Sequence, residues 1–252
     1  MIGKGSGRDR EEIGKLIMTT LHEQFLTVRA RIEAACRRFG RDPSAVSLLA
    51  VSKLQPAQAV RDAVALGHAA FGENYVQEAL DKMAELADLR ERIEWHLIGP
   101  LQSNKTRPVA EAFDWVHTVD RLKIAQRLSE QRPPALAPLN VCLQVNVSGE
   151  ASKSGMAPAE LPALAHAVAA LPRLRLRGLM AIPEPCEGFE AQRAPHRLLR
   201  ELRDGLSAQG LVLDTLSMGM SDDLEAAVAE GATLVRVGTA LFGARPSAVG
   251  RA

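Results

Sequence analysis

Residues 46–53 of this chain read VSLLAVSK, a short apolar run that ends in a lysine. A continuous apolar run of this length favours a strand that is buried on both faces. Such strands are typical of parallel sheets that are covered by helices on both sides. The run therefore predicts a buried strand that delivers one amine, that of Lys53, at its carboxyl end.

Further strand-like segments follow along the chain, and helical segments alternate with them. The predicted strands are residues 46–52, 69–72, 94–98, 115–119, 141–147, 174–182, 213–218 and 233–237. The helices predicted between them are residues 57–66, 76–89, 105–112, 122–131, 159–171, 193–209 and 222–230. Eight βα units in about 200 residues predict an α/β fold of the TIM (β/α)8 barrel type, and a doubly wound open sheet is the alternative.

An extra N-terminal helix is predicted ahead of the barrel, at residues 20–39. Its apolar residues recur on one stripe: Leu21, Phe25, Val28, Ile32 and Ala35. We expect a single barrel domain at residues 18–246, followed by a tail at 247–252. Residues 1–17 are polar and Gly-rich and lack the apolar core of a signal peptide. We expect them to be a disordered extension or a cloning remnant, with Met18 as the natural initiator.

The composition argues against several classes of partner. With 31 basic and 30 acidic residues, the chain has no basic field for nucleic acid or an anionic membrane. No apolar run approaches the roughly 18 residues that a membrane span needs. Cys36, Cys142 and Cys186 show neither metal-site spacing nor a disulfide framework, which favours the reducing cytoplasm.

Two strand ends near the carboxyl terminus predict a phosphate cradle. In a TIM barrel, phosphate is often held after strands seven and eight. The sequence there reads SMGMS at 217–221 and VGT at 237–239. Ser221 precedes a predicted helix, where backbone N–H groups can bind an anion, although serine is also a preferred helix N-cap. Gly238 and Thr239 add a second turn where backbone and a hydroxyl can approach a ligand.

The amine and the phosphate cradle together suggest a phosphorylated aldehyde that is held as a Schiff base. At the mouth of a barrel the amine of Lys53 would be partly desolvated, which favours its neutral, nucleophilic form. The structural alternative is a lysine at a strand end that simply reaches solvent.

Other polar residues lie near the predicted pocket. Arg236 interrupts an apolar run, and a buried charge must be paired or must serve a ligand. A structural salt bridge is one alternative for Arg236, and a phosphate or a ring nitrogen is the other. His96 and Asn146 lie in similar positions, and His96 also suits the role of a core histidine. Two further residues are candidates for pocket walls or for ordinary loop positions: Asn74 and Lys153.

The strand-end motifs, taken in order, resemble those of one family. They are AVSK at 50–53, FGENYVQE at 71–78, WHLIGPLQSNK at 95–105, VNVS at 145–148, KSG at 153–155, GLM at 178–180, SMGMS at 217–221 and VRVGTALFG at 235–243. The resemblance is to the pyridoxal phosphate (PLP) homeostasis proteins, called YggS or PROSC. It keeps its order from about Met18 to Arg245.

This resemblance implies a single-domain, fold-type III PLP barrel similar to the N-terminal domain of alanine racemase. It implies that Lys53 carries PLP as a Schiff base and that Arg236 lies near the phosphate or the pyridine nitrogen. Lys153 matches a second lysine in the family's pocket region, one that could take up PLP secondarily. The other implied cofactor-binding residues hold the phosphate (Ser221, Gly238 and Thr239), lie near the ring (Asn74) or line the pocket (Asn146, Met180 and Ser217).

The family is associated with binding, buffering and delivering PLP and is not known for a turnover reaction. We therefore expect PLP and PLP-dependent apoenzymes as partners, no catalytic residue, no metal, and a monomer or weak homodimer. A racemase needs an acid or base on each face of its substrate. In alanine racemase the second is a tyrosine from an extra C-terminal domain, and we expect no counterpart here. Tyr75, the only tyrosine, belongs to the FGENYVQE motif.

Two enzymatic alternatives remain open from the sequence. A PLP-dependent amino-acid racemase would need a base opposite Lys53, and only His96 or Lys153 offers one. A class I-like aldolase would use its lysine on the substrate carbonyl directly, without a cofactor.

Overall fold

The computed structural model describes residues 7–149 and 154–243, with side chains from Met18 onward. Lys153, the predicted tail at 247–252 and residues 1–6 of the predicted extension lie outside the described residues. The described part of the chain forms a barrel of strands with helices around it.

Within the described residues, eight parallel strands close into one barrel in sequence order, and the last strand pairs with the first. The predicted TIM barrel is therefore confirmed, and the open doubly wound sheet is wrong. The strands are β1 (Ser47–Val51), β2 (Ala70–Glu73), β3 (Glu94–Leu97), β4 (Trp115–Val119), β5 (Leu139–Gln144), β6 (Leu174–Met180), β7 (Thr215–Ser217) and β8 (Leu234–Val237).

The strands are mostly buried, because their residues are largely apolar and helices cover the outer face of the barrel. In β1, Leu49 and Ala50 have no solvent exposure, and β4 is buried along its whole length. Because all the strands are parallel, their carboxyl ends open on one face of the barrel. Lys53 after β1 and Gly238 after β8 therefore lie on the same face.

Helices follow the strands on the outside of the barrel, as predicted. They are α2 (Ala57–Ala65), α3 (Val76–Glu85), α4 (Thr106–Ala112), α5 (Leu122–Gln131), α6 (Leu161–Ala169), α7 (Phe189–Ala208), α8 (Leu224–Ala229) and α9 (Thr239–Phe242). The short helix α9 was not predicted. Helix α7 begins ahead of the predicted residue 193 and continues through Pro195, since one proline removes only one backbone hydrogen bond.

The extra helix, α1 (Gly7–Arg38), packs against α8 and α9. Its predicted apolar stripe is buried, which confirms the face that it turns to the barrel. The guanidinium of Arg31 donates to both carboxylate oxygens of Glu225 in α8, at 2.5 and 2.6 Å. The predicted start at residue 20 is wrong. The helix begins inside the segment expected to be disordered, because REEIGKLI at 10–17 consists mostly of good helix formers.

Candidate functional site

Lys53 lies half-buried directly after β1, at the carboxyl face of the barrel. β1 pairs with β8 so that Ala50 lies opposite Val237. The turn that follows β8 therefore adjoins the lysine. A Cβ added to Gly238 would lie 3.2 Å from the carbonyl oxygen of Val51, so the two chain segments approach closely at this point. The structure thus brings Lys53 next to one of the two predicted phosphate turns.

The backbone on both sides of Lys53 is held by side chains from α3. The ammonium of Lys82 donates to the carbonyl oxygen of Ser52 at 2.8 Å. The backbone N–H of Leu54 donates to the carboxylate of Glu78 at 2.5 Å. Leu54 has a positive φ of 62°, which is uncommon for a residue other than glycine. These contacts fix the direction in which the chain presents Lys53.

A buried ion pair lies beneath this turn. Lys82 donates to the carboxylate of Glu73 at 2.6 Å, and their side chains are only 4% and 0% exposed. The hydroxyl of Ser52 donates to the same carboxylate oxygen at 2.7 Å. Burial raises the pKa of Glu73, while Lys82 and the hydrogen bonds oppose that rise. Sequence reasoning missed Lys82, whose only signal was its position one helical turn after Glu78.

The loop after β7 is built around a glycine that cannot be replaced without strain. Gly219 has a φ of +92°, and an added Cβ would lie 2.5 Å from the Cβ of Ala227. The backbone N–H of Met220 donates to Asp223 at 2.6 Å, and Nε2 of His196 approaches the other oxygen of that carboxylate at 2.9 Å. These contacts set the path of the loop that carries Ser221.

The two predicted phosphate turns lie side by side. β7 pairs with β8 in parallel, and the N–H of Arg236 donates to the carbonyl oxygen of Gly219 at 2.9 Å. Ser221 is half-buried in the first turn, and Thr239 is exposed at the start of α9. Asp223 is the N-cap residue of α8, so the alternative role of Ser221 as the cap is not seen.

Arg236 is a buried cation below the carboxyl face, and it is 3% exposed. It donates to the hydroxyl oxygen of Ser217 at 2.9 Å and to the carbonyl oxygen of Ala181 at 2.8 Å. Burial lowers its pKa to about 10, and the charge of Asp223 acts in the opposite direction. No carboxylate among the described residues forms an ion pair with Arg236, so the structural salt bridge considered from the sequence is not seen there.

A cavity of about 260 Å³ opens at the carboxyl face. The side-chain oxygen of Asn74 is buried and has no hydrogen-bond partner among the described residues. The lining residues come from the ends of β2 to β7: Asn74, Ile98, Pro100, Thr118, Gln144, Ser154, Ile182, Pro183, Pro185 and Met220.

Asn74 is the one predicted cofactor-binding residue among the described residues that line this cavity, and Asn146 and Met180 lie elsewhere. The side-chain oxygen of Asn146 accepts the N–H groups of Ser148 and Gly149, at 3.2 and 3.1 Å, and so shapes the turn after β5. Met180 is fully buried in the barrel interior, where it clusters with Trp115 and Cys142. The remaining predicted pocket residue, Lys153, lies outside the described residues.

A chain of polar groups crosses the barrel interior below Arg236. Nε2 of His96 lies 2.8 Å from a carboxylate oxygen of Glu94, and its Nδ1 lies 2.9 Å from Nε2 of His117. Nδ1 of His117 lies 2.8 Å from the hydroxyl of Ser217. We call Glu94, His96, His117 and Ser217 the histidine relay. Both ring nitrogens of His96 are engaged, so it offers no free base at the pocket mouth.

The two ends of the relay differ in exposure and in charge. Burial lowers the pKa of His117 well below its ordinary value, and the charge of Arg236 acts in the same direction. The hydrogen bond with His96 lowers the pKa of Glu94, whose side chain is half exposed at the start of β3. Sequence reasoning assigned no role to His117, because an interior histidine in an apolar strand gives no signal of its partners.

The family model for the alanine racemase N-terminal domain matches residues 27–246. A Pseudomonas aeruginosa protein named pyridoxal phosphate homeostasis protein is 68% identical over 228 residues, which cover 90% of this chain and 97% of that protein. The Escherichia coli K12 protein of the same name is 55% identical over 229 residues, covering 90% of this chain and 98% of that protein. This chain belongs to the pyridoxal phosphate homeostasis protein family. The predicted resemblance is confirmed.

Solved structures agree with this family assignment. PipY of Synechococcus elongatus, solved with PLP bound, is 41% identical with a TM-score of 0.79, covering 88% of this chain and 100% of that chain. An alanine racemase of Clostridium difficile is 14% identical with a TM-score of 0.68, covering 91% of this chain and 58% of that one, and shows the fold alone. The fold-type III barrel implied by the resemblance is therefore confirmed.

Two features of this family member fit a ligand that carries both hydrogen-bond acceptors and a hydrogen-bond donor. Arg236 is a buried cation whose described partners are a hydroxyl and a carbonyl, and Asn74 has a buried amide oxygen without a partner in the described residues. Buried polar groups without partners are costly unless a ligand satisfies them. No cluster of metal-ligating side chains and no helix that could cross a membrane is found among the described residues.

Proposed function

We propose that this chain binds PLP as a Schiff base on Lys53 and takes part in PLP homeostasis. The observation that carries the proposal is the position of Lys53, a half-buried residue after β1 and beside the β8 turn. The relatives named for PLP homeostasis and the PLP-bound PipY support the choice of cofactor. A neutral lysine amine is the group that adds to an aldehyde.

We assign different residues of the chain to different parts of the cofactor. When bound, PLP supplies an aldehyde that exchanges reversibly between amines. We assign the phosphate to Ser221, Gly238 and Thr239, because these residues occupy two adjoining turns with backbone N–H groups and hydroxyls. Two polar groups, the guanidinium of Arg236 and the amide of Asn74, are assigned to the ring. Three further residues are proposed to line or support the pocket: Asn146, Met180 and Ser217.

The proposed role is to hold and release the cofactor. We infer that reversible imine exchange at Lys53 buffers PLP and delivers it to PLP-dependent apoenzymes in the cytoplasm. The three cysteines, all unpaired, are consistent with a reducing compartment. We propose a monomer or weak homodimer, and we keep Lys153 as a candidate for secondary PLP uptake.

The test compares PLP binding by the wild-type protein and two lysine variants. Lys53→Ala is expected to lose the Schiff-base absorbance and to bind PLP at least about tenfold more weakly, a change of ~1.4 kcal/mol. Lys123→Ala removes an exposed amine on α5 and is expected to bind like the wild type. Equal binding by all three proteins would refute Lys53 as the attachment site.

The same preparations decide the enzymatic alternatives. Loss of optical activity from an L-amino acid, abolished by Lys53→Ala, would support a racemase. A protein that takes up no PLP but is trapped by borohydride in the presence of a carbonyl substrate would support an aldolase. The proposal requires PLP uptake without turnover of common amino acids.

A further inference from the structure

We propose that the histidine relay is a one-way hydrogen-bond chain that positions Arg236 for the cofactor. The relay joins this buried cation to Glu94, on the opposite face of the barrel. His96 and His117 act through Arg236 and are positioning residues. The link to PLP affinity rests on the proposed function, whereas the direction of the relay follows from its own geometry.

The direction is fixed first at the cationic end. A guanidinium only donates hydrogen bonds, so the oxygen of Ser217 must accept from Arg236. A hydroxyl oxygen can accept twice, so we assign the proton of Ser217 to Nδ1 of His117, 2.8 Å away, because no other acceptor for that proton is seen among the described residues. Nδ1 of His117 is therefore an acceptor, and its neutral ring carries a proton on Nε2.

The anionic end requires the same direction. The carboxylate of Glu94 only accepts, so Nε2 of His96 must carry the proton that it donates. We take the ring of His96 with a single proton, so its Nδ1 accepts from Nε2 of His117, 2.9 Å away. Both ends thus predict the Nε2–H tautomer for both histidines. The opposite direction would leave the hydroxyl proton of Ser217 without its histidine acceptor.

The ring of His96 is held in the plane that this arrangement needs. It stacks on Trp115, with centroids 5.3 Å apart and an interplanar angle of 11°. The guanidinium of Arg177 lies over the same indole, 4.6 Å from its centroid, and pairs with Asp214. Rotation of the imidazole would lose the stacking contact as well as the hydrogen bonds.

A one-way chain between a cation and an anion stabilises both charges. Each hydrogen in the relay points from Arg236 toward Glu94, so each bond dipole presents its negative end to the guanidinium. Hydrogen bonds aligned in this way polarise one another in a medium of low dielectric constant. Asp223 is a second nearby anion that favours the charged guanidinium. The relay therefore helps to keep Arg236 charged and in place below the pocket.

The first test measures the tautomers without any cofactor. In the ligand-free protein at neutral pH, the nitrogen chemical shifts of His96 and His117 are expected to report the Nε2–H tautomer for both rings. An Nδ1–H tautomer or a cationic ring at His117 would overturn the relay.

The second test changes the far end of the relay. Glu94→Gln keeps a hydrogen-bonding side chain but removes the charge, and it should weaken PLP binding about fivefold, since hydrogen bonds to charged groups exceed neutral ones by that margin. The matched control is Glu91→Gln, which removes the same charge from an exposed neighbour that has no part in the relay. Equal affinities of the two variants would overturn the coupling.

The two tests separate this inference from the proposed function. A wild-type protein that binds no PLP would refute the proposed function, and the tautomers would still decide the relay. PLP attached to Lys53, together with the wrong tautomer at His117, would refute the relay and leave the proposed function standing.

Discussion

The turn that presents Lys53 is held in place by residues that do not line the cavity. The ammonium of Lys82 bridges the carbonyl of Ser52 and the carboxylate of Glu73. The side chains of Lys82 and Glu73 are almost fully buried. A buried ion pair is a weak source of net stability, because desolvation offsets the attraction between the charges. Removing one partner is costly, because the other charge is left buried and unpaired.

Lys82→Met is expected to lower the free energy of unfolding by about 3 kcal/mol, since it leaves the carboxylate of Glu73 buried without a cationic partner. Urea denaturation of the ligand-free protein measures this loss. The control is Arg107→Met, which breaks the exposed pair with Glu111 and should cost less than about 0.5 kcal/mol. Equal losses for the two variants would show that the buried pair has no special role.

Two structural elements, the loop after β7 and helix α8, approach each other through a glycine. Gly219 combines a positive φ with contact against Ala227, so an added methyl group meets two separate penalties. Gly210, after α7, has the same φ of +92° but nothing within 4 Å of an added Cβ. Comparing an alanine substitution at Gly210 with one at Gly219 therefore separates backbone strain from steric overlap.

Gly210→Ala is expected to cost about 1–2 kcal/mol of unfolding free energy from the left-handed backbone alone. Gly219→Ala should cost about 1–3 kcal/mol more, because α8 must shift to admit the methyl group. Denaturant midpoints measure both values. PLP affinity should fall only for Gly219→Ala, and a loss of affinity in both variants would argue against a local effect at the phosphate turn.

At the scale of the whole molecule, the barrel depends on neutral buried histidines. His68 packs between Phe25 of α1 and Phe71 of β2, and its Nε2–H donates to the carbonyl oxygen of Ala70. Burial lowers the pKa of His68 to about 4. In the unfolded chain His68 takes up a proton as the pH falls through about 6.5, whereas in the folded protein it does so only near pH 4. Stability from this residue is therefore complete above about pH 6.5 and falls as the pH drops toward 4.

The predicted loss at His68 amounts to ~2.5 kcal/mol of unfolding free energy between pH 7 and pH 4.5. His68→Gln keeps a donor that can reach Ala70 but does not titrate. Between pH 7 and pH 4.5 the unfolding free energy of the variant should therefore fall by ~2.5 kcal/mol less than that of the wild type. Urea titrations of both proteins at several pH values provide the comparison. Parallel curves for the wild type and the variant would contradict the lowered pKa.

The sequence predicted the barrel because strand-like and helix-like segments alternate regularly along the chain, and few folds are compatible with that alternation. It also predicted the positions of Lys53 and of the two turns, since parallel strands share one carboxyl face. Partners that join distant strands could not be predicted. His117 of β4 and Ser217 of β7 meet across the barrel interior, and nothing in either local sequence specifies the other. The unpredicted helix α9 is only four residues long, too short to show a helical period.

The central claim is that Lys53 is the residue that carries PLP. Its most direct test is borohydride reduction of the PLP-loaded protein, followed by mass mapping of its peptides. A reduced pyridoxyl group on the peptide that contains Lys53, as the main product, is the predicted result. A reduced group found mainly on another lysine, or on none, would contradict the account.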